Sequence, residues 1–169
     1  MVVTTRTIAC AVALAATASL NAANAQQSQA LMWCMTTKAD DVSLDLRISG
    51  CTTVIQSGKE PKNNLVIAFN NRGTAYSDKG QHERAIEDYD QAIKLNPKLA
   101  IALFNRGTAY SDKGQHERAI QDFDQAIKLD PSDADNFYGR SLAKAKKGDT
   151  AGADTDLAAA RRINPNIGR

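Results

Sequence analysis

The feature that most constrains this chain is an internal repeat. Residues 71–97 read NRGTAYSDKGQHERAIEDYDQAIKLNP, and residues 105–131 repeat them at a 34-residue offset with three changes, Glu87/Gln121, Tyr89/Phe123 and Asn96/Asp130. A third, worn copy follows at the same offset: Gly114 is matched by Gly148, Ala119 by Ala153, Phe123 by Leu157, Ala126 by Ala160 and Pro131 by Pro165. A unit this short cannot bury its apolar face alone, whereas stacked neighbours can, so the three copies must fold as one array.

Each unit reads as two helices. Phe69, Gly73 and Tyr76 fall at i, i+4 and i+7, one face of a helix, and Ala85, Tyr89 and Ala92 do the same on the next. Gly73 and Ala85 remove bulk where the helices must approach closely. Gly80 stands where the first helix should end in the left-handed conformation. Asn96-Pro97 and Asp130-Pro131 read as N-caps followed by a first-turn proline, so that each proline opens the next unit. Asp90/Lys94 and Asp124/Lys128 have the spacing of i, i+4 ion pairs on the outer face.

Residues 66–167 resemble the tetratricopeptide repeat (TPR) family. The family places a large apolar residue, a small residue and an aromatic on the first helix, here Phe69, Gly73 and Tyr76, then Leu103, Gly107 and Tyr110. It places alanine, an aromatic, alanine and proline on and after the second, here Ala85, Tyr89, Ala92 and Pro97, then Ala119, Phe123, Ala126 and Pro131. The third copy keeps Phe137, Ala153, Leu157, Ala160 and Pro165, and departs at Ser141 and Lys144. The resemblance implies an all-α solenoid of antiparallel helix pairs with repeats at 66–99, 100–133 and 134–167, preceded by a degenerate helical hairpin over 26–63.

The N-terminus stands apart. Arg6 supplies a weak basic region, Ile8 to Leu20 is uncharged and apolar, and Ala23-Asn24-Ala25 is a small-x-small cleavage signal. Residues 1–25 therefore read as an export signal, which predicts a periplasmic or secreted mature chain. A membrane anchor is the weaker reading, because the apolar run falls short of the ~20 residues that span a bilayer. Formal net charge is +2, and removing residues 1–25 leaves 20 basic against 19 acidic side chains. A near-neutral chain lacks the basic footprint of a nucleic-acid or anionic-membrane binder.

Cys34 and Cys51 remain after the signal. An even count in an exported chain predicts a disulfide. Zinc is the competing reading, but it wants four close ligands, and the other soft candidates, His82 and His116, lie far along the chain. Helices are expected around Gln29–Thr37 and Asp41–Ser57, with Cys51 standing where Tyr89 stands and Val54 where Ala92 stands. Antiparallel packing would bring the two cysteines face to face. The spacing is not C-x-x-C, so the bridge reads as structural rather than redox-active. At the other end, apolar surface beside Leu157 and Ile163 is expected to be open to self-association or to be harmlessly frayed.

In the TPR fold the first helices line a concave groove. The resemblance implies a lining of Asn70, Asn71, Thr74, Ser77 and Asp78 in the first unit, Phe104, Asn105, Thr108, Ser111 and Asp112 in the second, and Asp135, Tyr138, Gly139, Leu142 and Lys146 in the third. Asn71 and Asn105 are the main candidates for peptide contact, since a carboxamide both donates and accepts; the alternative is that they simply solvate the groove or bond a neighbouring helix. One TPR subtype grips a C-terminal carboxylate with several Lys and Arg residues. Of Asn70, Thr74, Asn105, Asp135 and Gly139 at the matching points, only Asn105 fits that pattern. Arg72, Arg106 and Arg140 recur at the repeat spacing and read as inter-repeat ion pairs with the acidic second helices, a basic ladder for an acidic partner being the alternative. His82 and His116 are duplicated with their turn and read as surface residues.

No nucleophile–base–orienter set, metal cluster or phosphate loop is visible, so neither catalysis nor a cofactor is expected. The expected function is a protein-interaction module of the cell envelope that binds a peptide or protein in its groove, with no nucleic-acid partner and no stable membrane insertion. The alternative is a structural component that self-assembles through its C-terminal face.

Overall fold

The computed structural model describes residues 24–36 and 42–169. The export-signal reading lies outside these described residues except for Asn24 and Ala25. Among the described residues eight helices follow one another: α1 (24–35), α2 (Leu44–Gln56), α3 (Lys62–Asp78), α4 (His82–Leu95), α5 (Ala100–Asp112), α6 (His116–Leu129), α7 (Ala134–Lys147) and α8 (Thr150–Ile163). Among the described residues there is no strand. The fold is an all-α solenoid of antiparallel helix pairs, with α3–α4, α5–α6 and α7–α8 as its three units and α1–α2 in front. α1 begins earlier than the spacing of Gln29–Thr37 suggests, and α2 begins at Leu44, with the Ser43 hydroxyl capping the Leu46 amide.

The helix ends follow local chemistry. Gly80, Gly114 and Gly148 take φ of 71°, 73° and 93°, a left-handed turn that lets the second helix fold back on the first. The prolines act differently from the sequence expectation. Asn96 and Asp130 are C-caps in extended conformation, and α5 and α7 start only at Ala100 and Ala134. Proline pushes its predecessor out of the helical region, and the Asn96 side chain accepts the Lys98 amide at 3.1 Å. Asn-Pro and Asp-Pro therefore end the second helix of a unit rather than opening the next.

In the first two units the first-helix glycine meets an aromatic on the partner helix. A Cβ on Gly73 would stand 2.7 Å from the Tyr89 ring, and one on Gly107 3.1 Å from Phe123. Tyr89 and Phe123 are each 1% exposed and anchor the core. The third unit carries Ser141 at this point and Leu157 in place of the aromatic, and the Ser141 hydroxyl donates to the Tyr138 carbonyl at 2.8 Å.

The α1–α2 hairpin obeys the same rules at a changed offset. Asp45, Cys51, Thr52 and Val54 stand 38 residues before Glu83, Tyr89, Asp90 and Ala92. The extra four residues lengthen the start of α3, which has 17 residues against 13 in α5. Where an aromatic ring fills the later units, the hairpin has a disulfide: Cys34 and Cys51 are bridged, fully buried, with Cα atoms 4.6 Å apart. Closing a loop with a sequence separation of 17 contributes roughly 3 kcal/mol in the chain-entropy model. Gly50 permits the approach, since a Cβ there would lie 2.6 Å from the Ala30 carbonyl oxygen.

At the far end, Ile167 folds back and is 8% exposed, packing with Ala134 and Ala160 and beside Phe137 and Tyr138. It stands 34 residues after Asp133, at the point where a first helix is entered. Leu157 is half-buried and Ile163 is 41% exposed, so the apolar surface expected here is reduced to a single large side chain.

Candidate functional site

The first helices form the inner wall of the array. α3 touches α5 and α5 touches α7, whereas among α2–α8 the helices α4, α6 and α8 meet only their neighbours in the chain. Helices that approach at every second position must lie on the inside of the curve. On α3, Ile67, Asn70, Asn71, Thr74 and Asp78 fall at helical spacing on one side, with Ile67 and Asp78 exposed and the other three half-buried. The same positions on α5 are Ile101, Phe104, Asn105, Thr108 and Asp112, and on α7 they are Asp135, Tyr138, Gly139, Leu142 and Lys146.

The asparagines on this wall are joined in a string. Asn105 donates to the Asn70 Oδ1 at 3.2 Å, Asn70 donates to the Asn71 Oδ1 at 3.3 Å, and Asn71 donates to the Cys34 carbonyl at 3.0 Å. The string runs from α5 through α3 to α1, beside the disulfide. It separates the two candidate asparagines. The Asn71 oxygen already accepts a hydrogen bond and its amide holds α1, so Asn71 is a structural clamp. Among the described residues nothing donates to the Asn105 oxygen.

The next boundary is built differently. Phe104 replaces Asn70, and its ring lies 5.6 Å from that of Phe123 in a tilted pair. Gly139 replaces Asn105, and a Cβ there would stand 2.7 Å from Phe123 and 3.3 Å from Phe104. The two replacements are coupled: the ring needs the space that a side chain at 139 would fill.

The remaining candidates are partly committed. The Thr74 and Thr108 hydroxyls donate to the Asn70 and Phe104 carbonyls, as helix-bound threonines do. The Tyr89 hydroxyl donates to Thr74 at 3.4 Å, and burial pushes its pKa up to about 12. Tyr138 packs against the C-terminal turn, where a Cβ on Gly168 would lie 2.9 Å from its ring. Ser77 and Ser111 are half-buried on the flank of the wall. Ile67 and Ile101, absent from the expected lining, are 42% and 49% exposed on it, and Leu142 is 45% exposed. Their signal was present in the sequence: each isoleucine precedes its unit's Asn71 or Asn105 by one helical turn.

The arginines turn away from this wall. Arg72, Arg106 and Arg140 each grip an aspartate of their own unit with two hydrogen bonds, to Asp88, Asp122 and Asp156 at 2.6–2.8 Å. The third nitrogen reaches back to the preceding unit: to Thr52 at 3.0 Å, Asp90 at 2.5 Å and Asp124 at 2.5 Å. These carboxylates hold Arg72, Arg106 and Arg140 above the ordinary guanidinium range. The ladder matches the inter-repeat reading of the sequence. Asp90 and Asp124 therefore pair with the next unit's arginine and make no ion pair with Lys94 and Lys128; the fork on Asp122 or Asp156 fixes the guanidinium, so its third nitrogen is already placed, whereas a flexible ammonium must be ordered. Lys144, in place of an aromatic, adds a second cation on Asp156 at 2.8 Å. Burial alone would raise the Asp156 pKa, but the bonds from Arg140 and Lys144 outweigh it and hold the carboxyl below its usual value.

A parallel set of pairs links Lys79 to Asp45, Lys113 to Glu83 and Lys147 to Glu117. Both ladders stop at α8, where Ala151 and Ala158 stand in place of Glu117 and Asp124. α8 therefore lacks, at these two positions, the carboxylates that α4 and α6 offer to the arginine and lysine of the following unit. His82 and His116 open α4 and α6 with half-buried rings, and their Nδ1 atoms have no partner.

The sequence profile described as tetratricopeptide repeat matches residues 70–134 and 104–166. No curated protein sequence matches the chain. Among solved structures, the second TPR of Spaghetti (RPAP3) bound to the HSP90 peptide SRMEEVD is 30% identical, with a TM-score of 0.58 over 61% of this chain and 97% of that one. The Sgt2 TPR domain from Aspergillus fumigatus is 30% identical, with a TM-score of 0.59 over 62% of this chain and 69% of that one. YrrB, a TPR protein with an unusual peptide-binding site, shares the fold at 22% identity and a TM-score of 0.64, over 73% of this chain and 62% of its own.

Proposed function

The chain belongs to the tetratricopeptide-repeat family, and we propose that it is an exported interaction module that binds a peptide or protein segment along the wall formed by α3, α5 and α7. The observation that carries this reading is the contrast between that wall and the rest of the molecule. The arginines of the first helices are consumed by their own aspartates, while Ile67, Ile101 and Leu142 stand exposed on the same wall as an Asn105 oxygen to which no described residue donates. Aliphatic side chains with one convergent amide are what an extended peptide needs, the first for its side chains and the second for its backbone. Peptide complexes of the RPAP3 repeats support the mode of binding, though not the ligand.

The test is crosslinking capture with the mature chain, comparing wild type with an Ile101→Ser/Asn105→Ala variant. Both residues lie outside the core, so the variant should keep its helical circular dichroism. Loss of captured partners is expected; recovery of the same partners in the same yield would sink the groove reading. Asn71→Ala is a poor probe, because it also releases the Cys34 carbonyl.

Export is the second part of the proposal. It rests on Arg6, the apolar run from Ile8 to Leu20, Ala23-Asn24-Ala25, and a cysteine pair suited to an oxidising compartment. N-terminal sequencing of the protein recovered from a producing cell should begin at Gln26. A chain that retains Met1 and stays with the cytosolic fraction would refute it.

A further inference from the structure

Resting on the groove reading above, we infer that the ligand is a segment combining apolar with basic side chains, and not an acidic or carboxylate-terminated peptide. The first argument is the balance of charge on the wall. Asp78, Asp112 and Asp135 project from it, against Lys146 alone. Asp112 and Asp135 have no ion-pair partner among the described residues, and Asp78 has only the buried Arg47 at 3.9 Å, leaving its side chain 52% exposed. The cations that might have countered them are withdrawn: Arg72, Arg106 and Arg140 to their aspartates, and Lys79, Lys113 and Lys147 to the outer ladder.

The second argument is helix electrostatics. Asp78 and Asp112 are the last residues of α3 and α5. A carboxylate there meets the negative end of the macrodipole, where a cation is the stabilising choice. α7 makes that choice, with Lys144, Lys146 and Lys147 in its last turn. Two units thus hold a negative charge where folding disfavours it, on the wall that also exposes Ile67 and Ile101. A ligand's lysine or arginine placed at these two helix ends would meet both the carboxylate and the dipole, while its apolar side chains cover Ile67, Ile101 and Leu142.

The experiment is selection of a random short-peptide display library on the full mature chain, with counter-selection on an Ile101→Ser/Leu142→Ser variant. Enriched peptides should pair Leu, Ile or Phe with Lys or Arg and exclude Asp and Glu. One of them, made as a fluorescent C-terminal amide, should bind about tenfold more weakly to Asp78→Asn/Asp112→Asn, with the difference shrinking at high salt. Acidic or uncharged peptides that discriminate wild type from the variant would overturn the charge assignment and leave the groove reading standing. So would a basic peptide indifferent to the aspartate changes. Peptides that do not discriminate the variant would overturn both.

Discussion

The two boundaries between units share a register and differ in what fills it. Between the first and second units, the Asn105 amide meets Asn70; between the second and third, Phe104 leans on Phe123 over Gly139. The arginine ladder is the same at both, with each fork on its own aspartate and a third contact to the unit before. The skeleton of the repeat is therefore set by close-packing glycines, core rings and Arg–Asp forks, while the inner wall is free to change its chemistry from one unit to the next.

Breaking the shared ladder should have the largest effect and should still tell the boundaries apart. Arg106→Ala leaves Asp122 buried without a cation and should cost about 3–4 kcal/mol in urea unfolding. Arg140→Ala should cost roughly half as much, because Lys144 remains on Asp156 at 2.8 Å. Equal losses would mean that Lys144 contributes nothing. The same carboxyl predicts an acid effect. Its folded pKa lies below the unfolded value, so its contribution is complete above about pH 4 and is lost as pH falls through the folded pKa.

The front of the array supplies a third boundary. Cys34→Ser/Cys51→Ser should lower stability by about 3 kcal/mol, since it removes a core-filling bridge where Tyr89 and Phe123 fill the later units. Amide exchange should quicken in α1 and α2 well before α5–α8; uniform quickening would show that the hairpin is not a separate structural layer. Thiol titration of the unfolded oxidised protein should find neither Cys34 nor Cys51 free.

Next in size is the exchange of boundary chemistries. Gly139→Asn drives a side chain into Phe123 and should cost about 2 kcal/mol. Adding Phe104→Asn removes the second ring and recreates the amide pair of the first boundary, so at least half of the loss should return. If the double variant were no better than the single, the two replacements would be independent.

Much of this was legible in the sequence, because the repeat is a strong signal: the helix pairs, the left-handed glycines, the Arg ladder and the cysteine pair all follow from spacing. What escaped depended on neighbours in space. Asn-Pro looks the same whether it closes one helix or opens another, and only the extended Asn96 decides it. Asp90 and Lys94 stand at ion-pair spacing, but Arg106 from the next unit takes the carboxylate. Asn71 looked equivalent to Asn105, yet the first abuts the hairpin and the second abuts Asn70. Identical units acquire different roles from unlike neighbours, and that asymmetry has no local signature. Ile67 and Ile101 were hidden for another reason: an aliphatic on a helix reads as core until the open side is known.

The smallest expected effect isolates one of the three differences between the near-identical copies. Tyr89 and Phe123 occupy the same core site, but Tyr89 carries a hydroxyl that donates to Thr74 at 3.4 Å. A bond that long contributes little, so Tyr89→Phe should change stability at neutral pH by less than about 1 kcal/mol. Alkaline pH should separate the two. Burial raises the Tyr89 pKa to about 12, above an unfolded value near 10. A raised folded pKa gives stability that is intact below about pH 10 and is lost as pH climbs through 12, amounting to about 1 kcal/mol at pH 11. Tyr89→Phe removes that loss and makes the first unit's core resemble the second's. The variant should therefore lag behind wild type in alkaline unfolding; coincident profiles would show that Tyr89 never titrates in that range, or that the remaining tyrosines dominate.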